Sequence, residues 1–106
     1  MSFTAKLRHS GTVAVITLGG ILDTLSAPDF RREVERAAER AVEHVVLDMT
    51  NVSYLSSGGL RMIAYVRRKW PVGVRIALVG ANDTIQRTIR LVGFHYSIEF
   101  SDQVPD

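Results

Sequence analysis

The strongest constraint on the fold is a compact apolar run near the middle of the chain, Val45-Val46-Leu47-Asp48-Met49. The run is short and is bounded by turn-forming residues. It lacks the alternation of apolar and polar residues that is typical of a strand with one solvent-exposed face. Such runs are typical of strands buried on both faces, which occur mainly in parallel sheets covered by helices. We therefore predict that this run is the central strand of an α/β sheet and that Thr50-Asn51 ends it.

The elements predicted around this strand alternate in the order that a parallel sheet requires. They are strands at 3–8 and 12–18 joined at Ser10-Gly11, a break at Gly19-Gly20, an amphipathic helix of about four turns from Ser26 to Val42, the central strand, a helix at 60–70 ended by Pro71 and Gly73, a strand at 74–79, a helix between Asn82 and Gly93, an edge strand at 96–100 and a tail at 101–106. The order ββαβαβαβ predicts a mostly parallel mixed sheet with an N-terminal hairpin and three main helices. A chain of 106 residues supports one core, so we expect a single domain over residues 1–106.

Composition excludes several classes of site. The chain has no cysteine, so disulfides and thiolate metal sites are impossible, and its three histidines show no close ligand spacing with one another. The first ten residues lack the apolar run of a secretory signal, and no stretch approaches the roughly 20 apolar residues that span a bilayer. We expect a cytoplasmic protein that binds no metal and does not insert into membranes.

Positive charge is concentrated in the second half of the chain. Residues 61–90 contain seven Lys or Arg residues and one Asp, for a net charge of +6, whereas the remainder has a net charge of −4. This asymmetry favours an acidic partner or surface, although solvated helix faces explain it equally well. Nucleic acid is a weaker interpretation, because no aromatic residues are interleaved with the basic ones. Trp70, which follows three basic residues, either anchors a partner or closes its helix on the core.

The segment Tyr54-Leu55-Ser56-Ser57-Gly58-Gly59-Leu60 places two hydroxyls and two glycines between the central strand and the next helix. Ser56 or Ser57 is expected to cap that helix, while the glycines leave its first amides exposed. A phosphate at this position would meet the positive end of the helix. Taken alone, the segment favours serines that act only as caps.

A resemblance to a known family adds to this interpretation. The stretches 46–49 and 52–63 together resemble the signature of STAS domains, as found in anti-sigma factor antagonists. Further similarities extend over essentially the whole chain, in the right order and with family-like spacing; they lie at Leu18-Gly19-Gly20-Ile21-Leu22-Asp23, Val79-Gly80-Ala81 and Leu91-Val92-Gly93-Phe94. The resemblance implies the STAS fold.

The resemblance also implies roles for individual residues. In family members regulated by phosphorylation, the acceptor falls on the position of Ser57 and is modified by a partner kinase that is often also the anti-sigma factor. The position before it is commonly aspartate, but this chain has Ser56, which makes Ser56 a competing acceptor. The residue that follows is Gly58, where serine or alanine is frequent. The residues implied in partner binding are Asp23, Ser56, Ser57, Gly58, Gly59 and Arg61, the last either facing a phosphate or acidic partner group or simply exposed.

No residue set for catalysis accompanies these motifs. Asp48 ends a buried strand, and Asp23 lies in a turn where carboxylates commonly bond local amides. Ser57 lacks the Gly-x-Ser-x-Gly elbow, and the glycine pairs match neither the P-loop nor the dinucleotide fingerprint. We therefore expect no enzyme and no cofactor.

The hypothesis that follows is a bacterial, phosphorylation-controlled interaction module of a partner-switching pathway. Its expected partners are a kinase-like anti-sigma factor and a cognate phosphatase; its oligomeric state is left open. The alternative is a STAS subunit of a membrane lipid-transport complex. A gene for a kinase-like ATPase or a phosphatase beside this one would favour partner switching, whereas genes for transporter components would favour the alternative.

Overall fold

The computed structural model describes residues 3–104, which form one five-stranded sheet and three α-helices. In chain order the elements are β1 (Thr4–Ser10), β2 (Val13–Leu22), α1 (Ala27–Ala37), β3 (His44–Leu55), α2 (Ser57–Lys69), β4 (Arg75–Val79), α3 (Asp83–Leu91), a short 3-10 helix (Phe94–Tyr96) and β5 (Glu99–Ser101). The predicted order ββαβαβαβ is confirmed. Within residues 3–104, no helix is long and apolar enough to cross a membrane.

The strands lie in the sheet in the order in which they occur in the chain. β1 and β2 form the predicted antiparallel hairpin, and β2, β3, β4 and β5 then pair in parallel, with β3 at the centre. Because parallel crossovers share one hand and these all advance in one direction, the three helices lie on the same face of the sheet. Their buried apolar side chains all join one cluster with the alternate strand residues that point toward them.

The opposite face carries a smaller apolar cluster. Val15, Val46 and Val79 occupy neighbouring strands and are almost completely buried, and Val13 and Val104 pack against them. The central strand is therefore buried on both faces, as its apolar run predicts. The helices cover only one of these faces.

Two predicted strand ends are wrong. β2 continues through Gly19-Gly20 to Leu22, and β3 continues through Thr50-Asn51 to Leu55. The two strands stay paired over this added length, with register shifts between Thr17 and Gly19 and between Gly20 and Ile21. Pairing between long neighbouring strands thus outweighs the local preference of glycine and asparagine for turns.

The helices differ from prediction mainly at their ends. α1 has 11 residues and stops at Ala37, one turn short, because the chain turns there and buries Val42 on its way into β3. α2 begins at Ser57, three residues earlier than predicted. Gly93 ends α3 with φ of 83°, as its position predicts, but Val92 is exposed and does not extend the buried stripe of that helix.

The C-terminal part also departs from the prediction. The predicted strand 96–100 begins with the last residue of the 3-10 helix and a turn, and the edge strand β5 contains only residues Glu99–Ser101. Pro105 and Asp106, at the end of the predicted tail, lie outside the described residues.

Candidate functional site

Parallel pairing of β2 and β3 brings the segments that follow them together at one edge of the sheet. Leu22 and Leu55, the last residues of the two strands, are register partners. One residue later, the Ser56 N–H donates a hydrogen bond to the Leu22 carbonyl at 3.0 Å. The loop after β2, residues 23–26, therefore lies against the first turn of α2. In α/β sheets, this edge, at the carboxyl ends of the strands, is where binding sites form.

Gly58 and Gly59 make this close approach possible. A Cβ atom on Gly59 would lie 2.2 Å from the Leu22 carbonyl oxygen, and one on Gly58 would lie 2.9 Å from the Thr24 backbone nitrogen. Both glycines are buried, so the expectation that they leave the first helix amides exposed is wrong for their own positions. Their missing side chains let the helix start pack directly on the neighbouring backbone.

The two serines have different surroundings. Ser56 is the N-cap of α2, with extended backbone angles, and its Oγ accepts a hydrogen bond from the Gly59 N–H at 3.2 Å. Ser57 is the first helical residue, and it is exposed. Of the two expected caps, Ser56 is therefore the one observed, and its hydroxyl is engaged while the Ser57 side chain faces solvent.

Asp23 holds the shape of the adjacent loop. Its Oδ1 accepts a hydrogen bond from the Ser26 N–H at 3.0 Å, and the Asp23 N–H donates to Ser26 Oγ at 2.9 Å. The Ser26 hydroxyl also donates to the Ile21 carbonyl at 2.9 Å, so it closes the loop and makes no side-chain cap hydrogen bond to α1. The carboxylate is half-buried and bonded locally, as predicted for an aspartate in a turn.

The distribution of charge at the start of α2 favours the placement of a negatively charged group there. The first turn of the helix contains no acidic residue, so no carboxylate offsets the positive end of the helix dipole. Arg61 is exposed one turn after Ser57, on the same side of the helix. Asp23 is the acidic residue of the neighbouring loop 23–26, and its Oδ1 is engaged with Ser26.

Exposed apolar side chains extend the site beyond the residues that sequence reasoning selected. Ile21 and Tyr54 are register partners at the ends of β2 and β3 and are 42% and 57% exposed, while Leu25 in the following loop is 89% exposed. We call these three residues the apolar rim. An apolar residue between Thr24 and Ser26, in a polar turn, was the signal available in the sequence. Exposed apolar groups that flank a polar centre are typical of protein-binding surfaces.

The residues brought together do not resemble a catalytic or metal centre. Among residues 3–104, no group of three or more histidine and acidic side chains is placed to hold a metal ion. Asp48, the other carboxylate considered from sequence, accepts hydrogen bonds from the Thr50 N–H and hydroxyl at 3.1 and 2.7 Å. The site thus consists of an exposed hydroxyl at a helix start, a loop held by hydrogen bonds, one arginine and an apolar rim.

Comparison with known proteins agrees with this geometry. The chain is 26% identical over 92 residues to the anti-sigma-F factor antagonist RsfB of Mycobacterium tuberculosis, an alignment covering 87% of this chain and 75% of that protein. Its fold is similar to that of an anti-sigma factor antagonist from Mycobacterium paratuberculosis, with a TM-score of 0.86, 21% identity and coverage of 97% and 88% of the two chains. The phosphorylated form of the Bacillus cell fate determinant SpoIIAA matches with a TM-score of 0.72, 19% identity and coverage of 96% and 93%. The STAS domain model matches residues 4–106, and the chain therefore belongs to the STAS domain family.

Proposed function

We propose that this protein is a phosphorylation-controlled interaction module of a partner-switching pathway. It binds a kinase-like anti-sigma factor while Ser57 is unmodified, is released when that partner phosphorylates Ser57, and is restored by a cognate phosphatase. The observation that carries the proposal is the exposure of Ser57 at the first helical position of α2, at the same edge of the sheet as the apolar rim. The relatives named as anti-sigma factor antagonists and the phosphorylated SpoIIAA structure support it.

The proposed switch acts on binding and leaves the fold intact. A phosphate adds about −1.5 to −2 charge, which the unneutralised start of α2 tolerates. In the complex, the same phosphate is buried against a partner surface and loses its hydration without a matching donor. Arg61, on the same side of α2, is placed to contact either a partner carboxylate or the phosphate.

The choice of acceptor can be measured directly. We expect incubation with the cognate kinase and ATP to place phosphate on Ser57, because its side chain is exposed whereas the Ser56 hydroxyl accepts the capping hydrogen bond. Mass spectrometry of the wild type, Ser57→Ala and Ser56→Ala proteins identifies the site. Phosphate found only on Ser56, or on neither serine, contradicts the proposal.

The direction of the switch is tested by affinity. We expect Ser57→Asp to weaken binding to the kinase-like partner about tenfold, phospho-Ser57 to weaken it further, and Ser57→Ala to bind and resist regulation. Calorimetry measures the affinities, and thermal melts confirm folding. Thr84→Asp adds the same charge at an exposed hydroxyl residue in the first turn of α3 and serves as the matched control. If phospho-Ser57 and Ser57→Asp both bind more tightly, the partner recruits the phosphate and the direction is reversed.

The proposal includes the absence of turnover by this chain alone. The carboxylates of Asp23 and Asp48 accept hydrogen bonds from residues two or three positions further along the chain, so both are engaged within local turns. We expect the purified protein to hydrolyse neither ATP nor GTP. Hydrolysis that persists through purification and disappears after one point substitution in this chain would overturn that part of the proposal.

A further inference from the structure

A second surface with binding character lies at the opposite end of α2 from Ser57. It is a groove of about 870 Å³ between the C-terminal ends of α2 and α3, the 3-10 helix and the starts of β4 and β5. We call it the distal groove. With 13 residues, α2 is about 20 Å long, so the groove is separated from the switch serine by most of the length of the domain. Nothing in the proposed switch uses it.

Some of the basic residues that line the groove are held by other groups of the protein. The Arg67 guanidinium donates to the carbonyls of Ser97, Pro71 and Val74 at 3.1, 2.9 and 3.1 Å, which fixes the end of α2. Arg75 forms two hydrogen bonds of 2.9 Å with Glu99, the acidic residue of the lining. The guanidinium groups of both arginines are therefore engaged by other groups of this protein.

Two other arginines keep their donors free. Arg68 and Arg90 line the groove from different helices and are both exposed, and their guanidinium groups form no hydrogen bond or ion pair with residues 3–104. Arg90 instead lies over the Phe100 ring, with its guanidinium carbon 4.7 Å from the ring centre. Stacking of this kind orients a guanidinium while its N–H groups remain available to an anion. The groove therefore combines preoriented positive charge with no free acid to offset it.

Aromatic and apolar side chains form the rest of the surface. Trp70 is 8% exposed, so it closes α2 on the core, and it also lines the groove. Tyr96 and Val72 lie in the lining and are 86% and 96% exposed. Tryptophan, tyrosine and arginine are the residues enriched where protein partners bind most strongly. Because the exposed apolar groups and the free arginines are spread over separate elements, the surface suits an extended ligand.

We propose that the distal groove binds an acidic polypeptide segment of a partner protein, in which an aromatic anchor residue is flanked by carboxylates. The anchor packs on Tyr96 and Phe100, and the carboxylates pair with Arg68 and Arg90. The charge of the two free arginines, opposed by no unpaired acid of the lining, selects an acidic occupant. This site goes beyond the proposed switch, because it would hold a partner whether or not Ser57 is phosphorylated.

The test uses a fluorescent peptide in which one central phenylalanine is flanked by alternating Glu and Asp residues. We expect saturable binding to the full chain with a Kd below about 1 mM, weakened by added salt. A peptide with Gln and Asn in place of the acids tests the charge, and one with alanine in place of phenylalanine tests the anchor. Amide chemical shifts locate the site and should change around residues 68–72 and 94–100.

A matched pair of variants on α3 separates the groove from general attraction by a basic surface. Arg90→Gln should lower the affinity for the acidic peptide about tenfold. Arg87 is exposed on the same helix but lies outside this groove, so Arg87→Gln should change that affinity less than about twofold. Arg68→Gln and Tyr96→Ala should each weaken binding of the acidic peptide, and thermal melts check that the variants fold. These variants leave the switch serine untouched.

Several outcomes would overturn the proposal. They are the absence of saturable binding, an equal loss of peptide affinity in Arg87→Gln and Arg90→Gln, and equal affinity for the neutral and the acidic peptide. Chemical-shift changes confined to residues 56–61 would also overturn it. Benzoate binding in the groove as tightly as the peptide would identify a site for a small organic anion instead. Because no kinase is present, failure of this experiment does not affect the proposed switch, and failure of the switch does not affect this result.

Discussion

At the residue scale, Ser56 and Ser57 differ in role because the helix begins between them. Ser56 has ψ of 178° and turns its hydroxyl onto the Gly59 amide, whereas Ser57 already belongs to α2. The sequence predicts a capping serine here, but two adjacent serines are equally good caps. Which one caps is decided by where the chain leaves β3, at Leu55, and that end depends on pairing with β2.

We predict that alanine substitutions at the two serines have different effects on the free energy of unfolding. Ser56→Ala removes the acceptor of the Gly59 amide and should lower the free energy of unfolding by about 1 kcal/mol. Ser57→Ala places a good helix former at an exposed first-turn position and should change it by less than about 0.5 kcal/mol. Urea unfolding of the three proteins measures both values. A larger loss in Ser57→Ala than in Ser56→Ala would contradict the assigned cap.

The packing of Gly59 against the loop after β2 leads to a second prediction. A Cβ at this position would lie 2.2 Å from the Leu22 carbonyl oxygen and 2.7 Å from Leu55 Cδ1, so backbone must move to admit it. We expect Gly59→Ala to destabilise the domain by about 2–3 kcal/mol. Gly73→Ala is the control, because its Cβ would meet nothing within 4 Å. Similar urea midpoints for the two variants would show that the start of α2 does not pack tightly at Gly59.

At the element scale, the order and type of elements were predictable and the lengths of two strands were not. The apolar run at 45–49 and the helical spacing after Ser26 depend on local pattern, which the sequence displays directly. Gly19-Gly20 and Thr50-Asn51 also carry a local signal, but it favours turns. They lie in strands because β2 and β3 pair with each other over that length, a contact between residues about 30 positions apart.

Contacts between α1 and α2 were also not predictable from either helix alone. Glu35 of α1 accepts hydrogen bonds from the Tyr65 hydroxyl and from Lys69 of α2, the second at 3.0 Å, and Arg31 lies 4.5 Å from the Tyr65 ring centre. The hydrogen bond from Lys69, followed by that from Tyr65, lowers the pKa of Glu35 below its ordinary value. This cluster ties the helix that carries Ser57 to its neighbour.

We predict a pH-dependent contribution from Glu35. A carboxyl whose folded pKa is lowered contributes stability above its unfolded pKa of about 4.5, and this contribution is lost as pH falls through the folded value. Glu35→Gln should therefore lower Tm slightly at neutral pH, with a difference from wild type that shrinks in acid. Glu39→Gln, an exposed glutamate without an ion pair among residues 3–104, is the control. A Glu35→Gln difference that stays constant down to pH 3, or a Glu39→Gln effect of equal size, would argue against the ion-paired cluster.

At the scale of the whole molecule, the fold separates the two candidate binding surfaces. The switch site forms where the ends of β2 and β3 meet the start of α2, and the distal groove forms at the other end of that helix. The first could be anticipated because its main residues are contiguous in the chain. The second could not, because Trp70, Arg90 and Phe100 come together only through the packing of α2, α3 and β5. Its sequence signals were the excess of basic residues at 61–90 and the position of Trp70 directly after three of them.

The stability of the whole domain should depend on two partly buried histidines. Burial, followed by the positive charges of Arg40 and Arg36, lowers the pKa of His9. Burial, followed by Arg75, lowers that of His44, with Glu99 opposing. Nδ1 of His9 and Nε2 of His44 are buried without a hydrogen-bond partner among residues 3–104, so a proton added there finds no acceptor.

The sign of the resulting pH dependence follows from proton uptake on unfolding. Each histidine has an ordinary pKa of 6.5 in the unfolded chain and a lower one in the folded chain, so between these values the unfolded state binds more protons. Stability should therefore be greatest above about pH 6.5 and fall as pH decreases through that value. We expect Tm to be lower at about pH 5.5 than at about pH 7.5, and the His9→Gln/His44→Gln double variant to show a smaller decrease. Lys6→Gln, another polar substitution on β1, controls for the substitution itself. A wild-type Tm that is unchanged or rises toward pH 5.5, or a double variant with the full decrease, would show that these histidines do not resist protonation in the folded protein.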